Sequence, residues 1–257
     1  LIFIFDQNYE CYYTTYPVKK NNWYKMKFLS PAKLNLNLRV ISKRNDGYHN
    51  LETTFQLINL FDEISFEESD KSFGIICDGL DIEPENNLIF KSLNAITKHC
   101  NLDKGIQIHL KKIIPAGAGL GGGSSNAATT LIALNKIWNL NLSTEELVNI
   151  GKGLGADVPI FIYGKNAVAT GIGDVLSDIE LKKNKYLLIC PNIEVSTSEM
   201  FRKLRIHELD DKHQNSFLDT LLKEHKSIEN FYKSFVDYYD LNLSGTGSTL
   251  FIKYYDK

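Results

Sequence analysis

The 257-residue sequence predicts an α+β fold, and three observations carry that prediction. "KLNLNLRVI" sets Leu34, Leu36, Leu38 and Val40 at every second position, the period of a half-buried strand. "NNLIFKSLNAITKHC" sets Leu88, Ile89, Leu93 and Ile96 three and four apart, on one side of a helix. "IPAGAGLGGGSSNAATTLIALNKIW" is a glycine-dense loop that runs straight into a second helix. No segment repeats and no Pro/Gly/Ser linker marks a boundary, so length alone allows one large domain or two small ones.

Composition sets the limits. Hydrophobic residues at 43% and charged residues at 23% suit a soluble globular protein. A net charge of −2 gives no general attraction for nucleic acid or an anionic membrane, so any anion has to be bound by a local site. Cys11, Cys77, Cys100 and Cys190 are widely spaced with no C-x-x-C pair, which points to reduced thiols and a cytoplasmic setting. No apolar run approaches the ~18 residues of a membrane span. Residues 1–25 lack amphipathic periodicity and form a poor signal peptide. They are expected to be an extension outside the native fold, with Met26 as the start; their aromatic content would alternatively allow docking as an extra strand.

From Met26 the elements follow in order. The first strand leads to "RNDGYHN", a turn centred on Asp46-Gly47. "NLETTFQLINL" and "DEISFEE" read as two strands meeting at Phe61-Asp62. The first helix and the strand "GIQIHLKKII" come next, then the glycine loop. Ser124 or Ser125 suits the N-cap of the helix that follows, with Ala127, Ala128, Leu131, Leu134 and Trp138 as its buried stripe. "LSTEELVNIGKGLGADVP" carries a capping box, Ser143 with Glu146, and a staple, Leu142 with Leu147, before a break at Gly153–Gly155. Taken alone, Asp157 reads as a turn residue before a strand containing Pro159. "KNAVATGIGDVL" and "KKNKYLLICPNIEVST" read as strands, with helices near 215–226 and 228–239.

The loop carries the chemistry. Glycines allow several backbone N–H groups to converge on one oxyanion, and a helix start adds its dipole. A mobile loop or tight packing turn is the plainer alternative, disfavoured by this density of glycine. "GAGLGG" formally matches a dinucleotide fingerprint, but "NKIWNLNL" offers no carboxylate about 20 residues on to hold a ribose. A Walker loop fails too, since no Gly-Lys-Ser/Thr follows. Lys111 and Lys112 ahead of the loop could raise its potential, although solvated surface lysines explain them more simply.

The whole string "PAGAGLGGGSSNAA" closely resembles the phosphate loop of the GHMP kinases. "SPAKLNLNL" resembles that family's first motif and "LSGTGSTLF" its third, in the same order. "DGYHNLETTFQ", "NNLI", "LGADVPIFI" and "VSTSEMF" resemble the branch that phosphorylates a cytidine-diphosphate-linked methylerythritol. The likeness runs from about Met26 to about Tyr254. It implies a two-domain fold, with an N-terminal ATP-binding domain over 26–170 and a C-terminal ferredoxin-like substrate domain over 171–257. Family members usually continue beyond the third motif, so the second domain is expected to be truncated at its end.

The resemblance also implies roles. Asp157 would be the catalytic base for the acceptor hydroxyl and Lys33 its partner. A positioned carboxylate can take the proton as the bond to phosphorus develops, and an adjacent ammonium stabilises both negative charges. Pro115, Gly117, Gly119, Leu120, Gly121, Gly122, Gly123, Ser124 and Ser125 would hold the ATP phosphates, with Ser124 and Ser125 as candidates for Mg²⁺ contact. Asn87 and Leu88 would meet adenine, or serve only as a helix N-cap and a core leucine. Tyr48 and Phe201 would sandwich the cytosine, His49 would bond its edge, and Asn35 and Thr197 would lie near the sugar alcohol and diphosphate. Each has an innocent alternative: Tyr48-His49 as turn and strand start, Phe201 as helix core. A monomer or weak homodimer with only small-molecule partners is expected.

Overall fold

The computed structural model describes residues 2–5, 18–20, 23–69, 72–78, 83–206 and 213–254. The leader read as an extension lies largely outside them. Its described backbone comprises β1 (Ile2–Phe5) and β2 (Val18–Lys20). The spine of the molecule is one long antiparallel pair, β3 (Trp23–Lys43) and β4 (His49–Ser69), joined by the Asp46-Gly47 turn. Where two strands were expected to meet at Phe61-Asp62, β4 is continuous. The pairing steps from Pro31–Phe61 to Ala32–Ile58 there, so the apparent break is a bulge in an unbroken strand.

Beyond β4 the sheet continues with β5 (Phe73–Asp78) and β6 (Gly105–Lys111), giving the order β2-β3-β4-β6-β5. β6 lies along one half of β4, at Glu63–Ser69, and β7 (Ala167–Thr170) along the other, at Thr53–Phe55. β8 (Val175–Asp178) returns beside β7. The domain boundary drawn after residue 170 therefore falls inside the β7–β8 hairpin.

Four helices cover one face of this sheet. α1 (Leu88–Cys100) buries Ile89, Leu93 and Ile96, and Asn87 caps it by accepting from the Ile89 N–H at 2.9 Å. α2 (Gly122–Ile137) buries Ala127, Ala128, Leu131 and Leu134. Its N-cap is Gly121, at φ 72°, three residues before Ser124 and four before Ser125. α3 (Thr144–Lys152) has the expected capping box. α4 (Val158–Tyr163) replaces the strand expected around Pro159: proline is tolerated in the first turn of a helix, and all five residues from Val158 to Ile162 are buried.

The second sheet has the order β1-β9-β11-β10, all antiparallel, with β9 at Lys185–Ile189, β10 at Leu241–Leu243 and β11 at Leu250–Tyr254. α5 (Thr197–Lys203), α6 (Leu218–Glu224) and α7 (Lys226–Phe235) lie between β9 and β10 in the chain. A core cluster joins the halves, packing Leu34, Ile58 and Leu120 with Tyr186, Leu188 and Phe251. No helix among the described residues is long and apolar enough to cross a membrane.

Candidate active site

A cleft of about 1180 Å³ opens between the two halves. Its floor is the bulged stretch of β3, its upper wall the glycine loop, and its far end the Tyr48 turn facing α5.

Lys33 comes from β3 and points into the cleft, its side chain only 3% exposed. Its Nζ lies 3.3 Å from Asp157 Oδ2, and donates to Asn35 Oδ1 at 2.5 Å and to the Gly119 carbonyl at 3.0 Å. Phe55 backs it, with the ring centroid 5.7 Å from Nζ. Asp157 stands at the N-cap of α4 yet makes no capping bond. Its carboxylate, 34% exposed, is left facing both Lys33 and the open cleft. Two groups far apart in sequence thus form one ion pair, anchored on a buried lysine and open to water on the acid side.

The glycine loop is stitched to both halves. Lys33 N–H donates to the Leu120 carbonyl at 3.0 Å, Thr249 N–H to Ala118 at 3.1 Å, and Val195 N–H to Gly117 at 3.0 Å. Ser244 Oγ donates to the Gly119 carbonyl at 2.9 Å and accepts from the Asn35 N–H at 3.2 Å. The string "LSGTGSTLF" is therefore a brace for the loop as well as a cleft wall. A side chain at Gly119 would break the brace: its Cβ would stand 2.2 Å from the Ser244 carbonyl oxygen and 2.8 Å from that of Gly247, at φ +76°. Gly119→Ala is expected to destabilise the fold by about 1–3 kcal/mol. A thermal melt measures the loss, and an unchanged melting temperature refutes the prediction.

Pro115, Gly117, Gly119, Gly121, Gly122, Gly123 and Ser124 all line the cleft, as does Leu88. Leu120 instead puts its side chain in the core. Ser125 departs from expectation: its side chain is fully buried and its Oγ pairs with Ser30 Oγ at 2.8 Å, away from the cleft. It sits on the inner face of α2, where a helix starting at Gly122 must place it. Asn87 is the helix cap, and its amide also donates to Cys77 Sγ at 3.3 Å. Lys112 corrects the solvated reading outright, with a side chain 6% exposed and an ion pair to the buried Asp62 at 2.8 Å.

At the other end, Arg44 pairs with Asp46, and Asp46 Oδ1 accepts from the Tyr48 N–H at 3.1 Å, fixing the turn that presents Tyr48. Tyr48 is 61% exposed on the cleft rim. His49 lies against Phe201, with centroids 5.1 Å apart and rings tilted by 32°. Partial burial, aided by the Lys43 cation, pulls the His49 imidazole below its ordinary value, leaving a neutral ring that can donate and accept. Thr197 Oγ1 meets Thr246 Oγ1 at 3.2 Å. Asn35 is used internally, its amide donating to Thr53 Oγ1 at 2.8 Å while its oxygen holds Lys33. Sequence reasoning assigned no part to Phe55, Ser244 or Thr246, all in or under the cleft. All three stand in strings that were in view, "DGYHNLETTFQ" and "LSGTGSTLF", but no spacing rule singles them out.

Residues 87–165 match the model of the GHMP kinases N terminal domain. The 4-diphosphocytidyl-2-C-methyl-D-erythritol kinase of Pseudoalteromonas translucida (strain TAC 125) is 38% identical over 244 residues, covering 91% of this chain and 86% of that protein. Its counterpart in Syntrophus aciditrophicus (strain SB) is 47% identical over 183 residues, covering 70% and 66%. A crystal structure of 4-(cytidine 5'-diphospho)-2C-methyl-D-erythritol kinase superposes with a TM-score of 0.77 at 28% identity, covering 88% of this chain and 89% of that one. Likeness of this extent, together with a glycine loop and a lysine–aspartate pair sharing one cleft, fixes the relationship: the chain belongs to the 4-diphosphocytidyl-2-C-methyl-D-erythritol kinases, a branch of the GHMP kinase family.

Proposed function

We propose that this chain transfers the γ-phosphoryl group of ATP to the 2-hydroxyl of 4-diphosphocytidyl-2-C-methyl-D-erythritol, in the non-mevalonate route to isoprenoid precursors. The observation that carries the reading is the Lys33–Asp157 pair at 3.3 Å, directly beneath the glycine loop. Asp157 accepts the hydroxyl proton as the oxygen–phosphorus bond forms and the bond to the ADP oxygen breaks. Lys33 stabilises the charge on the transferring oxygens, and the loop N–H groups hold the remaining phosphates. In this reading the first sheet and its helices form the ATP domain and the second sheet the acceptor domain.

Mg²⁺ belongs to the same reading. Among the described residues no group of three or more His, Cys, Asp or Glu could hold a metal ion by itself. An Mg²⁺ ion that arrives with a nucleotide is held mainly by phosphate oxygens and water, with few protein ligands. Ser124 suits the part, since its hydroxyl faces the Gly155 turn that carries Asp157, 3.6 Å from where a Cβ would stand on Gly155. When bound, the ion would neutralise phosphate charge.

The aromatic end gives the acceptor its specificity. Tyr48 and Phe201 stack the cytosine and His49 bonds its edge, base insertion replacing the present His49–Phe201 contact. Tyr48→Ala is expected to raise the acceptor KM about tenfold with a smaller change in kcat, because stacking is lost equally in ground and transition states. Unchanged acceptor KM in steady-state kinetics would exclude stacking at this position. The reading keeps a monomer or weak homodimer in the cytoplasm. The deciding experiment measures ADP release from Mg-ATP with the cytidylyl substrate, homoserine and mevalonate. Turnover is expected with the first alone; preference for either of the others overturns the proposal.

A further inference from the structure

Beneath the glycine loop lies a buried charged cluster that the transfer chemistry does not use. Asp62, on β4, is 0% exposed. Its Oδ1 accepts from the backbone N–H groups of Ile113 at 2.7 Å and Ile114 at 2.8 Å. Its Oδ2 accepts from Lys112 Nζ at 2.8 Å and Asn126 Nδ2 at 2.9 Å. Lys112 also donates to the Ile114 carbonyl, and Asn126 donates to Ser30 Oγ at 3.0 Å. None of Asp62, Lys112 and Asn126 lines the cleft.

The positions of these donors give the cluster its meaning. Ile113 and Ile114 lead into the loop from β6, whereas Asn126 lies in the helix that leaves it. We infer that Asp62 is a positioning residue for nucleotide binding, its one carboxylate clamping both ends of the glycine loop to β4. A glycine-rich segment has the most backbone freedom to lose, so an untethered loop would have to be ordered when the nucleotide arrives. Tying its ends during folding moves that cost out of the binding step. Lys112 neutralises the clamp and packs beneath the first turn of α2, where a Cβ on Gly122 would come within 2.9 Å of its Nζ. Burial pulls the Lys112 ammonium below its ordinary value while Asp62 opposes that pull. The four donors satisfy the buried carboxylate, and their placement on both sides of the loop is what ties its two ends to one point.

The inference rests on the loop being the nucleotide site, so the test is direct titration with ADP, independent of the acceptor. Asn126→Ala retains helix propensity and removes the tie from Asp62 to α2 together with the bond to Ser30 Oγ; Asp62→Asn disturbs the whole clamp. Losing a hydrogen bond to a buried charge is expected to raise the ADP Kd about tenfold in Asn126→Ala and further in Asp62→Asn. The KM for ATP should rise in parallel while the acceptor KM stays within about twofold, a split that general loosening would not produce. Should Asp62→Asn fail to fold, Asn126→Ala carries the test by itself. Wild-type ADP affinity in folded Asn126→Ala, or both KM values rising together, overturns the inference. A flat titration of the wild type would instead overturn the nucleotide reading of the loop, and the inference with it.

Discussion

Asp157→Asn is expected to lower kcat by about 10²–10⁴ while ADP affinity is retained. Asparagine matches the carboxylate in shape but cannot take a proton at neutral pH. The local fold has little reason to change, because Asp157 makes no capping bond to α4. Lys33 keeps its bonds to Asn35 Oδ1 and the Gly119 carbonyl. With the acid side of the ion pair 34% exposed, solvent screening limits the stability change to about 0–1 kcal/mol. The loss therefore falls on chemistry rather than structure. Coupled ADP-release assays at saturating ATP, run beside a thermal melt, separate the two. Wild-type turnover would remove Asp157 from the role of base.

Much of this site was legible because its chemistry is written in local strings. The capping box at Ser143 and Glu146 needs only its own four residues, and it forms as read. The glycine loop marks itself by composition, and its glycines line the cleft. What resisted reading depends on partners distant in sequence. "VPIFI" has the apolar run of a buried strand, and such short runs look alike in strand and helix. Here burial on every side made it α4 instead. Ser125 and Lys112 went astray for a shared reason, since neither position reveals which way the side chain faces until the start of α2 and the place of Asp62 are known. The bulge near Phe61 likewise becomes visible only once β3 lies beside β4. The meeting of Lys33 and Asp157 came from family resemblance alone, and spacing could not have supplied it.

Lys33→Met tests the other half of the pair. Methionine nearly fills the volume, so packing against Phe55 survives, but the ammonium is gone. The Gly119 carbonyl is not orphaned, because Ser244 Oγ still donates to it at 2.9 Å. Asn35 Oδ1 loses its donor, and one buried unpaired acceptor costs about 1–3 kcal/mol. A modest fall in melting temperature is therefore expected, alongside a fall in kcat of about 10²–10³ from lost charge stabilisation. Lys33→Arg should not rescue it. A Cβ on Gly121 would already lie 3.1 Å from Lys33 Cε, so the larger guanidinium has no room beneath the loop. Combining Lys33→Met with Asp157→Asn then distinguishes a unit from two separate contributors. If the lysine acts by stabilising the charge that arises as the aspartate takes the proton, the double variant loses little more than the worse single one. Multiplying losses would mean that Lys33 serves the phosphates independently of the base, and the pairing seen at 3.3 Å would then be structural.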